Sequence, residues 1–98
     1  MADPSNWTFL TNHGHVLLCI SDDADITVRE LARRVGITER AVMRIIGELD
    51  RAGVVERARE GRRNHYRIHL DEPLRHPLEA HCTVRDLIQM YQDTRAER

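Results

Sequence analysis

The chain has 98 residues, of which 41% are hydrophobic, so it can bury one small core but not two. The formal net charge is −1 and there are only two cysteines, which excludes a uniformly basic chain and a disulfide-stapled secreted domain. The longest apolar run, Val16 to Ile20, is too short to span a bilayer, and no charged-then-apolar leader opens the sequence. We therefore expect one cytoplasmic domain, residues 1–98, with no membrane partner.

A first helix is predicted over residues 12–20, followed by a polar loop at residues 21–25. The apolar side chains of this helix would pack beneath the elements that follow. They are Val16, Leu17, Cys19 and Ile20.

Residues 27–52 carry the signals of two short helices joined by a tight turn. Thr27 and Glu30 have the spacing of a capping box, and Thr38 can cap a second helix that runs to Ala52. Between the two helices, Gly36 fits a position of positive φ, which would end the first helix without a steric penalty. The sequence therefore predicts a helix-turn-helix.

The second of these helices has two distinct faces. Its apolar positions and those of the helix before it form one continuous apolar surface between the two helices, which we call the seam. These positions are Leu31, Ala32, Val35, Ile37, Val42, Ile45, Ile46 and Leu49. The opposite face repeats at three- and four-residue spacing and carries Arg40, Met43, Arg44, Gly47 and Arg51. A recognition helix would present this face to a DNA major groove.

Two strands are predicted downstream, at residues 54–59 and 65–70, the second with alternating apolar and polar residues. The segment between them, residues 60–64, contains Gly61 and favours a hairpin loop. Arg62 and Arg63 would lie at its tip.

A helix-turn-helix followed by a basic hairpin resembles the small winged-helix transcriptional regulators related to the MarR and ArsR families. The similarity is closest to short regulators common in actinobacteria and extends from Trp7 to Tyr91, through the segments WTFLTNH, VGITERAV, GRRNHYR and LRHPLE. The resemblance implies a mainly helical α/β fold with a three-helix core, a β-hairpin wing and a C-terminal helix. It also implies a dimeric repressor that binds double-stranded DNA, with the recognition helix, residues 38–52, in the major groove and the wing, residues 59–65, on the DNA backbone or minor groove.

The distribution of charge agrees with DNA binding. Residues 27–70 hold eleven arginines and six acidic residues, whereas the remainder holds four arginines and ten acidic residues. Positive charge is therefore confined to the region expected to contact phosphates. The predicted DNA-binding residues are Arg33, Arg34, Thr38, Glu39, Arg40, Met43, Arg44, Arg62, Arg63 and Asn64. For Arg40 and Arg44, the alternative is a solvated helix face with pairing to Glu48. For Arg62 and Arg63 it is an ordinary charged turn, and for some of the arginines of the first helix of the motif it is a side chain that faces water.

The winged-helix core is expected over residues 7–77 and a C-terminal dimerisation helix over residues 78–95. Apolar residues of this helix recur with helical spacing, and they could join the N-terminal arm in a two-fold interface. The expected interface residues are Trp7, Phe9, Leu10, Val84, Leu87, Ile88 and Tyr91. The alternative is that the helical stripe covers the core of its own chain.

Two other functions remain open. His76, His81 and Cys82 could converge in a metal- or redox-responsive repressor of the ArsR type, although no metal-ligand spacing supports them. A winged helix can also serve only to bind protein, which would leave the arginine-rich face unexplained. We expect no metal, no cofactor and no enzymatic activity, because phosphate-cradling loops and nucleophile motifs are absent from the sequence.

Overall fold

The computed structural model describes residues 6–61 and 63–96 and has the predicted order of elements. Three helices come first, then an antiparallel hairpin, a short 3₁₀ helix and a last helix. They are α1 (Asn12–Asp22), α2 (Val28–Val35), α3 (Glu39–Arg51), β1 (Val55–Glu60), β2 (Arg63–Ile68), the 3₁₀ helix (Pro77–Glu79) and α4 (Val84–Ala96). The mainly helical α/β fold is confirmed.

Local capping sets the bounds of α2 and α3. The Thr27 hydroxyl oxygen accepts a hydrogen bond from the backbone N–H of Glu30 at 3.1 Å, and Thr38 accepts from Ala41 at 3.0 Å. Gly36 ends α2 with a φ of 84°. The predicted capping box is only half formed, because the Glu30 carboxylate pairs with Arg33 instead of returning to the backbone.

The predicted seam is the centre of the core. Its buried side chains come from α1, α2, α3 and the base of the hairpin, and the largest fully buried ones are Ile20, Leu31, Ile45, Ile46, Val16, Val42 and Val55. Truncating one of the leucine or isoleucine side chains to alanine is expected to cost about 2–5 kcal/mol of unfolding free energy. Because this packing buries the apolar face of α3, the opposite face of the helix is exposed to solvent.

The hairpin, residues 55–68, is called the wing from here on. Its register runs from Val55 opposite Ile68 to Glu60 opposite Arg63, which leaves a connection of two residues. The predicted loop over residues 60–64 is therefore too long, because Gly61 adopts a φ of 63° and allows a tighter turn. Arg63 is the first residue of β2, and Arg62 lies outside the described residues.

The base of the wing is attached to the loop between α1 and α2. The backbone N–H of Tyr66 donates to the carbonyl of Ala24 at 2.9 Å, and Nδ1 of His65 lies 2.7 Å from Oδ1 of Asp25. The Tyr66 side chain is buried in the core. The wing therefore has a fixed position beside the helix-turn-helix.

The C-terminal helix begins later than predicted, at Val84. Residues 72–74 and 82–84 pair through backbone hydrogen bonds, from Leu74 N–H to Cys82 O at 2.9 Å and from Val84 N–H to Glu72 O at 2.8 Å. Thr83 and Asp86 then form a capping box, in which the Thr83 hydroxyl oxygen accepts from the backbone N–H of Asp86 at 3.4 Å and Oδ2 of Asp86 accepts from the backbone N–H of Thr83 at 2.9 Å. The predicted helix over residues 78–95 started too early. Residues 82–84 pair with the backbone of residues 72–74, which the sequence pattern did not indicate, and α4 begins only where this pairing ends.

Across residues 6–61 and 63–96, no helix combines the length and the apolar character needed to cross a membrane.

Candidate nucleic-acid interface

The outward face of α3 carries the predicted basic stripe. Arg40, Arg44 and Arg51 are exposed, as is Met43 with 44% of its surface accessible. The inward face is buried against α1 and α2. Thr38 and Glu39 are also exposed at the start of the helix.

The arginines of this stripe differ in their partners. Nη1 of Arg44 lies 3.3 and 3.4 Å from the two carboxylate oxygens of Glu48, and Nε2 of His13 lies 2.6 Å from one of them. The hydrogen bond with His13 and the charge of Arg44 together hold the pKa of Glu48 below its usual value. In the part of the chain that the structure describes, Arg40 and Arg51 form no ion pair. Arg44 is thus exposed but engaged within the protein.

The register of the wing separates its arginines into two groups. On one face, Arg57 stands opposite Tyr66 and Arg59 stands opposite Asn64. On the other face, Arg63 stands opposite Glu60, and Nη1 of Arg67 lies 3.8 Å from Oε1 of Glu56. We call the face bearing Arg57 and Arg59 the inner wing face. It has no acidic residue at its cross-strand positions.

Sequence reasoning placed the wing's positive charge at Arg62 and Arg63 and missed Arg57 and Arg59. Their alternation with Glu56, Ala58 and Glu60 along β1 indicated that the two arginines share one face of the strand. Which residues stand opposite them on β2 became known only from the strand register.

Residues 10–56, just under half of the chain, match a protein-family model described as winged helix-turn-helix DNA-binding. The match covers α1, α2, α3 and the start of β1. The three helices and the hairpin of this chain form a winged helix-turn-helix, the fold that this family model describes. No curated protein matches the chain.

Solved structures of transcriptional regulators share the fold. The adhesin competence repressor AdcR of Streptococcus pyogenes is 16% identical, with a TM-score of 0.60 over 95% of this chain and 62% of AdcR. FabT of Streptococcus pneumoniae, solved in complex with DNA, is 17% identical, with a TM-score of 0.59 over 87% of this chain and 53% of FabT. A MarR family regulator of Silicibacter pomeroyi is 19% identical, with a TM-score of 0.54 over 88% and 52%. This chain therefore spans less than two thirds of each of these proteins.

Two arginines of α2 that were predicted to bind DNA are engaged within the winged helix. Arg33 pairs with Glu30 one turn earlier. Nη2 of Arg34 lies 3.2 Å from Oδ2 of Asp22, which binds α4 as well. From these contacts we infer that Arg34 helps to attach α4, while its predicted contact with DNA stays a prediction.

The carboxylate of Asp22 and the side chains that donate to it form what we call the Asp22 junction. The donors are Arg34, Tyr91, Gln92 and Arg95, at 3.2, 2.8, 3.1 and 2.6 Å. Burial alone would raise the pKa of Asp22, but these four hydrogen bonds outweigh it and hold the pKa below its usual value. The junction joins α1, α2 and α4.

The residues expected at a dimer interface have different positions. Val84 is only 2% exposed in the core of its own chain, so it has no free surface for a partner. Leu87 and Ile88 pack against the same core, and Tyr91 belongs to the Asp22 junction. These α4 residues cover the core of their own chain, but Leu87 and Ile88 are only half-buried and keep an outward edge.

The N-terminal arm is the exposed part of that expected interface. Trp7 and Phe9 are 62% and 92% exposed, and their rings meet edge to face with centroids 5.0 Å apart. Next to them is a groove of about 400 Å³ between the arm, α1 and α4. Its apolar lining includes Phe9, Leu10, Leu17, Leu49, Leu74 and Leu87. The arm and α4 therefore border the same apolar surface.

The residues considered for a metal site do not form one in this arrangement. Among the described residues, no group of three or more His, Cys, Asp or Glu side chains is placed to hold a metal ion. Nδ1 of His76 instead accepts a hydrogen bond from the backbone N–H of Leu78 at 3.1 Å.

Proposed function

We propose that this chain is a transcriptional repressor of the MarR type that binds double-stranded DNA as a homodimer. The winged-helix domain and the structural similarity to MarR-type regulators support this proposal. Among those neighbours, FabT was solved with DNA and AdcR is a repressor. A helix at an angle in the major groove and a hairpin on the backbone is the general arrangement for such a domain.

The observation that carries the proposal is the exposed basic stripe of α3, to which the inner wing face adds two further arginines. Arg40 and the N-terminal half of α3 would meet base edges, with Thr38, Met43 and Arg44 nearby. Arg44 would exchange its partner Glu48 for DNA. Contacts to phosphates would come from Arg33, Arg57, Arg59, Arg62, Arg63 and Asn64. Glu39, at the start of α3, would accept from a cytosine amino group.

The proposed dimer uses the N-terminal arm and the apolar groove beside it. A second copy would cover Trp7, Phe9, Leu10 and the outward edges of Leu87 and Ile88. An exposed edge-to-face aromatic pair is a feature more often found in an interface than on a solvated surface. Two-fold symmetry would place the two α3 helices in successive major grooves of a palindromic operator.

The function is tested by selecting bound fragments from the source genome and measuring the affinity of the selected site against random duplex. Replacing Arg40 with alanine should cost about 1–3 kcal/mol on the selected site and little on random DNA, if Arg40 reads a guanine. Arg85→Ala is the matched control, because Arg85 is an exposed arginine on α4 paired with Asp71. Failure of the parent protein to bind any duplex would overturn the proposed function.

The dimer is tested by sedimentation of Phe9→Glu. Because Phe9 is 92% exposed in one chain, a charge there should leave the chain folded but disrupt the interface. Leu78→Glu is the control, since Leu78 is 82% exposed and does not line the groove. A parent protein that is monomeric at micromolar concentration would contradict the proposal.

A further inference from the structure

Gly47 occupies an unusual position for a glycine. It lies in the interior of α3, on the same outward stripe as Arg40, Arg44 and Arg51. Glycine in a helix interior weakens the helix, because it loses more backbone freedom on folding than other residues do. The backbone of α3 is regular at Gly47, so no turn or positive φ requires the residue there. What distinguishes this position is therefore the missing side chain.

The space left by Gly47 is bordered by the side chain of Arg51. A Cβ placed on Gly47 would lie 3.4 Å from Nη1 of Arg51. The guanidinium of Arg51 thus reaches back one turn along α3, in the direction that helical side chains point. The methyl group of an alanine at position 47 would contact this guanidinium and would fill the space between the guanidinium and the helix backbone.

The charge of Arg51 is also available. Glu48 is the nearby acid on this side of α3, but its carboxylate is shared between Arg44 and His13. Within the described residues, Arg51 is in no ion pair, and its side chain is exposed. The stripe therefore ends in a cation whose Nη1 reaches the space beside Gly47.

We propose that Gly47 and Arg51 form a phosphate-binding site for DNA at the C-terminal half of α3. In a recognition helix, the N-terminal residues reach the base edges, which leaves the C-terminal turns beside the backbone at the rim of the groove. The Arg51 guanidinium donates to a phosphate oxygen, and the bare surface at Gly47 lets that phosphate approach the helix closely. This inference rests on the proposed DNA binding and gives a specific contact to two residues that sequence analysis had only placed on the face presented to DNA.

The experiment compares the parent protein with Gly47→Ala, Arg51→Ala and the double variant, on the selected site and on random duplex, over a series of salt concentrations. Arg51→Ala should weaken binding to both duplexes by a similar factor, about tenfold, and lower the slope of log affinity against log salt by about 1. Gly47→Ala should raise the thermal midpoint, because alanine favours the helix, and yet weaken DNA binding. The double variant should bind no more weakly than Arg51→Ala, since both changes remove the same contact.

Three results would overturn this site. Unchanged affinity and salt slope in Arg51→Ala would show that Arg51 does not touch DNA. A loss confined to the selected site would show that Arg51 reads a base. Full DNA affinity in Gly47→Ala would show that the missing side chain has no part in binding.

The proposed function has a separate readout. If Arg40→Ala loses the selected site while Arg51→Ala behaves as the parent, DNA recognition stands and only the Gly47–Arg51 site fails. If the parent binds no duplex, both proposals fail together.

Discussion

The Asp22 junction and the outward stripe of α3 use the same residue type for opposite purposes. At the junction, Arg34 and Arg95 both donate to one carboxylate that is only 15% exposed. On the stripe, Arg40 and Arg51 have no acidic partner among the described residues and face solvent. The arginines of the junction therefore hold the fold together, whereas Arg40 and Arg51 are available to a ligand.

The two regions should respond differently to salt. Ion pairs around a mostly buried carboxylate are screened weakly, while contacts to DNA phosphates release condensed counterions and weaken steeply as salt rises. Folding stability and DNA affinity can therefore be measured separately, and each substitution below is expected to change mainly one of them.

The largest effect is expected from Asp22→Ala. It removes the common acceptor of four side chains and should lower the free energy of unfolding by about 2–3 kcal/mol, measured by urea denaturation. Asp71→Ala is the control, because Asp71 is 87% exposed and, among the described residues, pairs with Arg85 alone, so its change should stay within about 0.5 kcal/mol. Equal stability of Asp22→Ala and the parent would show that the junction does not hold α4.

The same junction predicts a dependence on pH. Since the folded state lowers the pKa of Asp22, its contribution to stability is fully present above the pKa of an unfolded aspartate. It is lost as the pH falls through the folded value. The stability difference between the parent and Asp22→Asn should therefore shrink below about pH 4. A difference that is constant from pH 7 to pH 3 would contradict the assignment.

A smaller effect on stability is expected from Arg34→Ala, which compares an arginine of the junction with the arginines of the stripe. Arg34→Ala should lower the free energy of unfolding by about 1 kcal/mol, because Asp22 keeps its other donors. It should leave the affinity for duplex DNA unchanged under conditions where the protein is folded. A loss of DNA affinity comparable to that of Arg40→Ala would return Arg34 to the interface and remove the contrast between the two regions.

The wing allows a further comparison of arginines with and without an acidic partner, because it carries two arginines of each kind on opposite faces of one hairpin. Replacing Arg57 and Arg59 by alanine should reduce the salt slope of DNA binding by about 2, since neither faces an acid across the strands. Replacing Arg63 and Arg67, which stand opposite Glu60 and Glu56, should reduce it less. The reverse order would show that the outer face of the wing is the one in contact with DNA.

The smallest expected effect concerns His65, which pairs with Asp25 at the base of the wing. The hydrogen bond with Asp25 raises the pKa of His65, so its stabilising contribution is present below the pKa of an unfolded histidine and is lost as pH rises through the folded value. The thermal midpoint of the parent, relative to His65→Gln, should therefore decline between about pH 6 and 8. His81→Gln, at an exposed position, is the control. An identical pH profile for His65→Gln and the parent would sink this assignment.

Features set by neighbouring residues could be predicted from the sequence. Thr27, Gly36 and Thr38 specify the helix-turn-helix through hydrogen bonds and a backbone angle within a few residues, so no distant partner was needed. The exposed stripe of α3 followed from the spacing of its apolar face in the same way.

Features set by distant partners could not be predicted. The role of Arg34 depends on Asp22 and on α4, which lie in other elements. The start of α4 at Val84 depends on the backbone of Glu72, and the wing residues that face each other depend on the strand register. The roles of Arg34, Val84 and Arg57 therefore required the structure.

The attachment of α4 has a consequence for the order in which the chain folds. The hydrogen bonds of Asp22 to Tyr91 and Arg95 close loops of 69 and 73 residues, whereas the cap of α2 joins residues three apart. The entropy of closing a loop grows with its length, so α4 is expected to dock last in folding and to detach first in partial unfolding. Amide protons of α4 should then exchange with solvent faster than those of α3, through an opened state in which the three-helix core stays intact.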